Sequence, residues 1–190
     1  MTIDALRAQG HWVFGYGSLI WNPGFPFVAS QVALLSGAHR SLSIYSHTHR
    51  GTPERPGLVF GLTRGGSCRG MAFEVAEENW QASYAYLLER EQVSGVYREA
   101  YRKVRLADGR VVTALAFLVD ELHVQFAGRL ELAEQARLIR GGLGQSGRNV
   151  DYVINTAEHL ERLGLRDRQL QAVVALLKAA RDGEASTSSE

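Results

Sequence analysis

Two stretches of this 190-residue chain carry residue types at spacings that do chemistry. The first is Gly15-Tyr16-Gly17-Ser18-Leu19-Ile20, which follows the short apolar run Trp12-Val13-Phe14. Glycines at alternate positions let successive backbone N–H groups turn into one concavity, suited to a carboxylate or a developing oxyanion. Ser18 adds a hydroxyl, and Tyr16 an aromatic wall with a polar tip. The same residue types also make a plain turn out of a strand, so the residues alone leave both uses open.

The second is Glu91. At about 100° per residue, Trp80, Tyr84, Leu87 and Leu88 share one helical face, and Glu91 falls within roughly 20° of Trp80 on it. Glu89, two residues earlier, projects almost opposite. A carboxylate on an apolar face either escapes to solvent at the helix end, which Gly95 would allow, or is held in a pocket. In a pocket, desolvation raises its pKa and makes it a general base or acid near neutrality.

Other candidates are weaker. Arg40, Arg50 and Arg69 lie in or beside strands, where they either bind an anion or sit as surface and ion-pair residues. Asn149 has the type and place of a helix N-cap, and Tyr152 either projects from that first turn into a site or simply follows the cap. His47-x-His49 puts two imidazoles on one strand face, but no third ligand can be named and polar neighbours point to solvated histidines. Gly142-x-Gly144-x-x-Gly147 matches a dinucleotide-binding pattern, yet a helical run precedes it where a strand is required. Ser18 lacks the Gly-x-Ser-x-Gly frame of a hydrolase nucleophile, and no phosphate-binding loop is present.

The elements that must position these groups divide unevenly along the chain. Residues 11–14, 31–35, 40–46, 58–62, 71–75, 100–106 and 111–119 have strand composition, and Asp108-Gly109 marks a hairpin. Helical spacing appears at 80–88, 130–140, 150–160 and 170–177. Strands first, one helix inserted and helices last make an α+β pattern without βαβ alternation. One domain over residues 1–181 is expected, with a disordered tail at 182–190. The 21 basic and 20 acidic residues nearly cancel, so no overall field draws in nucleic acid or an anionic membrane. The one cysteine, Cys68, excludes an intramolecular disulfide and a cysteine-based zinc site. The apolar stretch at 12–21 is too short to span a bilayer, and a cytoplasmic protein is expected.

The opening run from Trp12 to Trp21 resembles the first motif of the ChaC-type γ-glutamylcyclotransferases. The likeness continues through residues 39–46, Arg50-Gly51-Thr52, residues 56–62, residues 65–70, Arg90-Glu91 and residues 147–152, covering roughly 11–175. The resemblance implies a compact mixed fold around a small, partly closed β-barrel with flanking helices. It implies cleavage of glutathione to 5-oxoproline and Cys-Gly without a metal or organic cofactor. Residues Gly15, Tyr16, Gly17, Ser18, Leu19 and Ile20 would cradle the γ-glutamyl group, and Glu91 would be the essential glutamate. Arg40 and Tyr152 are further candidates for the substrate pocket. Two other functions fit the same loop: a cyclotransferase for other γ-glutamyl amino acids or amines, and a non-catalytic binder of a small anionic metabolite. A binder has little use for a carboxylate on an apolar face.

Overall fold

The computed structural model describes residues 11–91 and 94–187, with side chains to residue 179. These residues form two compact units. One runs to Ser41 and resumes over Phe60–Phe126; the other is Leu42–Val59 with the chain from Ala127 onward.

Five strands form a closed barrel: β1 (Trp12–Gly15), β2 (Ala29–Ser46), β3 (Gly57–Glu74), β4 (Tyr97–Leu106) and β5 (Val111–Val119). Their order around the barrel is β1-β3-β2-β4-β5. β1 lies antiparallel to β3, with Val13 opposite Phe73, and parallel to β5, with Val13 opposite Leu115. The parallel pair completes the closure, which goes one step beyond the partly closed barrel expected. Closure also removes the exposed strand edges that an open sheet would present.

Four expected strands prove to be two. Residues 31–35 and 40–46 belong to the single strand β2, and residues 58–62 and 71–74 to β3. Gly65 and Gly66, which look like a break, lie inside β3 with φ of +89° and +69°. Such conformations open to glycine let a strand bulge and bend, as a small barrel demands, without losing its pairing. The Asp108-Gly109 turn is where the sequence places it: Gly109 has φ +91° and the Leu106 amide bonds the Arg110 carbonyl at 2.8 Å.

Between β3 and β4 runs α1 (Glu77–Glu91). Glu77 and Glu78 sit in its first turn and Arg90 in its last, each complementing the helix dipole. Trp80, Ser83 and Leu87 are its buried residues, three and four apart. Trp80 and Leu87 join Val13, Leu19, Phe25, Phe73, Val75, Leu115 and Phe117 in one apolar cluster. The core therefore unites the helix that ends in Glu91 with the loop that carries Leu19.

The second unit holds α2 (Leu132–Gly141), the short strand pair β6 (Leu143–Gly144) and β7 (Gly147–Arg148), α3 (Asn149–Arg162) and α4 (Arg168–Thr187). Ile139, Val153, Leu160, Val173 and Leu177 are at most 1% exposed among them. α4 continues through residues expected to fray from 182 on, while 188–190 lie outside the described residues. Asn149 is not the N-cap; Arg148 holds that position. The Asn149 side chain is instead fully buried. Its Oδ1 accepts from the Leu58 amide at 2.6 Å, and its Nδ2 donates to the Leu58 carbonyl at 2.9 Å. It thus occupies the place of a strand neighbour to Leu58, which satisfies both backbone groups at once.

Candidate active site

The loop after β1 is a single 3-10 turn, Ser18–Ile20. The Ile20 amide bonds the Gly17 carbonyl at 3.0 Å, and the Asn22 amide bonds the Ser18 carbonyl at 3.0 Å. Neither Gly15 nor Gly17 has a positive φ, so the loop does not alternate backbone hands as a nest built on those glycines would. The N–H groups of Ser18 and Leu19 lead that turn and have no partner within it. Tyr16 and Leu19 are buried at 6% and 4% exposure, while Ser18 and Ile20 are half-buried. Tyr16 is therefore a packed residue of the loop's base more than an open wall.

Two neighbours fix the path of this loop. Gly70 in β3 lies so close that a Cβ there would stand 2.3 Å from the Gly15 carbonyl oxygen and 2.8 Å from the Phe14 ring. Arg40, in β2, is buried at 9% exposure. Its Nε donates to the Tyr16 carbonyl at 2.5 Å and an Nη to the Arg69 carbonyl at 2.7 Å. Sequence reasoning brings Arg40 to this place as a pocket residue. In the structure it braces the loop's backbone against β3.

Glu91 ends α1. Its side chain is 15% exposed, whereas Glu89 is exposed, so the helical wheel separates the shielded carboxylate from the solvated one. Burial pushes the Glu91 carboxyl above its ordinary range, and the Arg90 guanidinium opposes that shift. Desolvation is the larger effect, so the group holds a proton more tightly than a free carboxylate. Such a carboxyl can accept a proton from an amine and return it to a leaving nitrogen.

Arg90 is the residue that sequence reasoning passed over, noting it only beside Glu91. One Nη donates to the Asn22 carbonyl at 2.7 Å, the Tyr86 hydroxyl at 2.9 Å and the Pro23 carbonyl at 3.3 Å. The other donates to Ser18 Oγ at 2.9 Å, and Nε stands 3.4 Å from Glu91 Oε1. No spacing rule points to it, because neighbouring residues on a helix diverge by about 100°.

Tyr152 belongs to the second unit, on α3, with the Arg50 guanidinium 5.1 Å above its ring. Arg50 also donates to the Ser146 carbonyl there. His49 of the two-histidine pattern meets Ser146 Oγ at 3.1 Å. Among the described residues no three His, Cys, Asp or Glu side chains gather as a metal site would need, and no helix is long and apolar enough to cross a membrane.

The profile of a family described as ChaC-like protein matches residues 11–180. The glutathione-specific γ-glutamylcyclotransferase of Escherichia coli (strain K12) is 33% identical over 167 residues, covering 88% of this chain and 72% of that protein. Glutathione-specific γ-glutamylcyclotransferase 1 of Homo sapiens is 31% identical over 172 residues, covering 87% and 78%. The crystal structure of a selenomethionine-labelled yeast γ-glutamyl cyclotransferase specific to glutathione has a TM-score of 0.82 at 22% identity. It covers 90% of this chain and 96% of that one. That likeness carries the fold, and it is the mixed barrel-and-helix fold the opening motif implied. Matched along nearly its whole length, and sharing about a third of its residues with these relatives, the chain belongs to the ChaC-like family.

Proposed function

We propose that this protein is a glutathione-specific γ-glutamylcyclotransferase that releases 5-oxoproline and Cys-Gly in the cytoplasm. The observation that carries the mechanism is Glu91: a shielded carboxyl with raised proton affinity, ending a helix that shares its apolar core with the Ser18–Ile20 turn. The relatives' activity supports the substrate.

The substrate brings its own nucleophile. Its α-amine attacks its γ-carbonyl carbon; a C–N bond forms to close a five-membered ring, and the amide C–N bond to the cysteinyl nitrogen breaks. The protein's first task is to fold the γ-glutamyl chain so that nitrogen approaches carbon. Residues Gly15 to Ile20 fit that task, with the leading N–H groups of the turn and the Ser18 hydroxyl facing negative oxygen. Its second task is proton transfer. Glu91 takes a proton from the α-ammonium, which frees the lone pair, and delivers one to the departing nitrogen.

The test is 5-oxoproline release from glutathione and from γ-glutamyl-alanine, run beside Glu91→Gln. Product from glutathione with the wild type and none from a folded variant supports reaction and base together. No product from glutathione overturns the substrate. Equal product from both proteins keeps the reaction and discards Glu91 as its base.

A further inference from the structure

We infer that Arg90 is a positioning residue of this site: a single guanidinium ties the Ser18 loop to α1 and holds Glu91 in register with it. The inference rests on the reading of Glu91 as the base and goes beyond it, since it assigns what sets that base and what couples it to the binding loop.

The geometry is that of a clamp. Arg90 reaches three points of the 18–23 segment, namely Ser18 Oγ, the Asn22 carbonyl and the Pro23 carbonyl, and it is steadied by the Tyr86 hydroxyl one turn earlier on α1. Its planar fork presents donors spread along two edges of a flat group, a reach that the compact ammonium of a lysine does not reproduce. The opposite edge of the group lies against Glu91 at 3.4 Å, beyond ordinary hydrogen-bond length, so charge more than a directed bond couples them. Side chains at i and i+1 diverge on a helix, so this arrangement requires Arg90 to arch toward the loop and pass beside the carboxylate.

The charge has a specific consequence. Burial and the negative end of the α1 dipole both disfavour an ionised Glu91. Arg90 opposes them and is the charged group that acts on Glu91 among the described residues. Of the other charges in this unit, Glu89 is exposed, Glu99 on β4 accepts from the Tyr84 hydroxyl at 2.6 Å, Arg98 pairs with Asp120, and Arg40 faces backbone carbonyls. Residues Gly15 to Ile20 bring no charge. Arg90 thus favours the ionised form of the base, while burial keeps its proton affinity above that of a free carboxylate.

Two variants separate charge from clamp. Arg90→Met removes both; Arg90→Lys keeps the charge and loses the fork. The first readout is the carboxyl carbon NMR titration of Glu91, identified by its loss in Glu91→Gln, which needs no turnover. The second is kcat/KM against pH. In Arg90→Met, Glu91 titrates at higher pH than in the wild type, and the loss of kcat/KM grows as the pH falls. In Arg90→Lys the titration stays near that of the wild type while KM rises. An unchanged Glu91 titration in Arg90→Met overturns the inference. Should that variant not fold, a wild-type KM in Arg90→Lys overturns it instead. A wild type that makes no product refutes the proposed function, yet the titration still decides the role of Arg90.

Discussion

Replacing Glu91 by glutamine should make the protein more stable and inactive at once, and the pH dependence of the gain is the sharper test. Burial holds the Glu91 pKa above that of the unfolded chain, even with Arg90 at 3.4 Å. The folded state therefore binds this proton more tightly than the unfolded state does. Below the unfolded value, near 4.5, both states are protonated and the group contributes its full neutral-form stability. As pH rises through the window up to the raised folded value, the unfolded state ionises first and that stability is lost. Above the window the loss is constant, at about 1.4 kcal/mol for each pH unit that the window spans. Glutamine matches the neutral carboxyl in shape and never ionises. In Glu91→Gln, Arg90 keeps Ser18, Asn22, Pro23 and Tyr86 as partners, so the clamp survives. Urea unfolding at a series of pH values from 4 to 8 should show wild type and variant nearly equal at the acid end, with the variant pulling ahead as pH rises. Activity at pH 7.5 should fall by about 10²–10⁴-fold. Parallel stability curves would refute the reasoning, since they would mean that Glu91 is no harder to ionise in the folded protein than in the unfolded chain.

Three further outcomes follow from the packing. Asn149→Ala removes both bonds to Leu58 and leaves a buried amide and carbonyl unpaired, which should cost about 2–4 kcal/mol in urea unfolding. Gly70→Ala places a methyl 2.3 Å from the Gly15 oxygen, so β1 and the following turn must shift. KM should rise severalfold along with a loss of about 1–3 kcal/mol in stability. The Tyr101 hydroxyl is buried with no protein partner among the described residues, and Tyr101→Phe should raise stability by about 1 kcal/mol while kcat/KM stays within about twofold.

How much of this was legible in the chain depends on whether the controlling interactions are local. The wheel that put Glu91 with Trp80 and Leu87 used a period that every helix obeys, and the structure shields Glu91 while exposing Glu89. The Asp108-Gly109 hairpin was equally local. The glycines at 65 and 66 misled because a bulge and a chain break have the same composition; only closure of the barrel makes the bulge the better solution. Asn149 misled because its short amide suits a cap as well as a strand clamp, and Leu58, ninety-one residues away, decides between them.

The sequence by itself determined the element types, the strand that delivers the Gly15–Ile20 segment, the helix that ends in Glu91 and the family that shares these motifs. Each depends on a periodicity or a run of neighbours. The tertiary structure decided the rest: that the five strands close, that Arg40 braces the loop at Tyr16 against β3 at Arg69, and that Arg90 spans from Ser18 to Glu91. Those are contacts across tens of residues, or between neighbours that a helix points apart. They exist only once burial of the shared core has brought the loop, the barrel and α1 together, because desolvation is what makes a guanidinium seek carbonyls and what lifts the affinity of Glu91 for its proton.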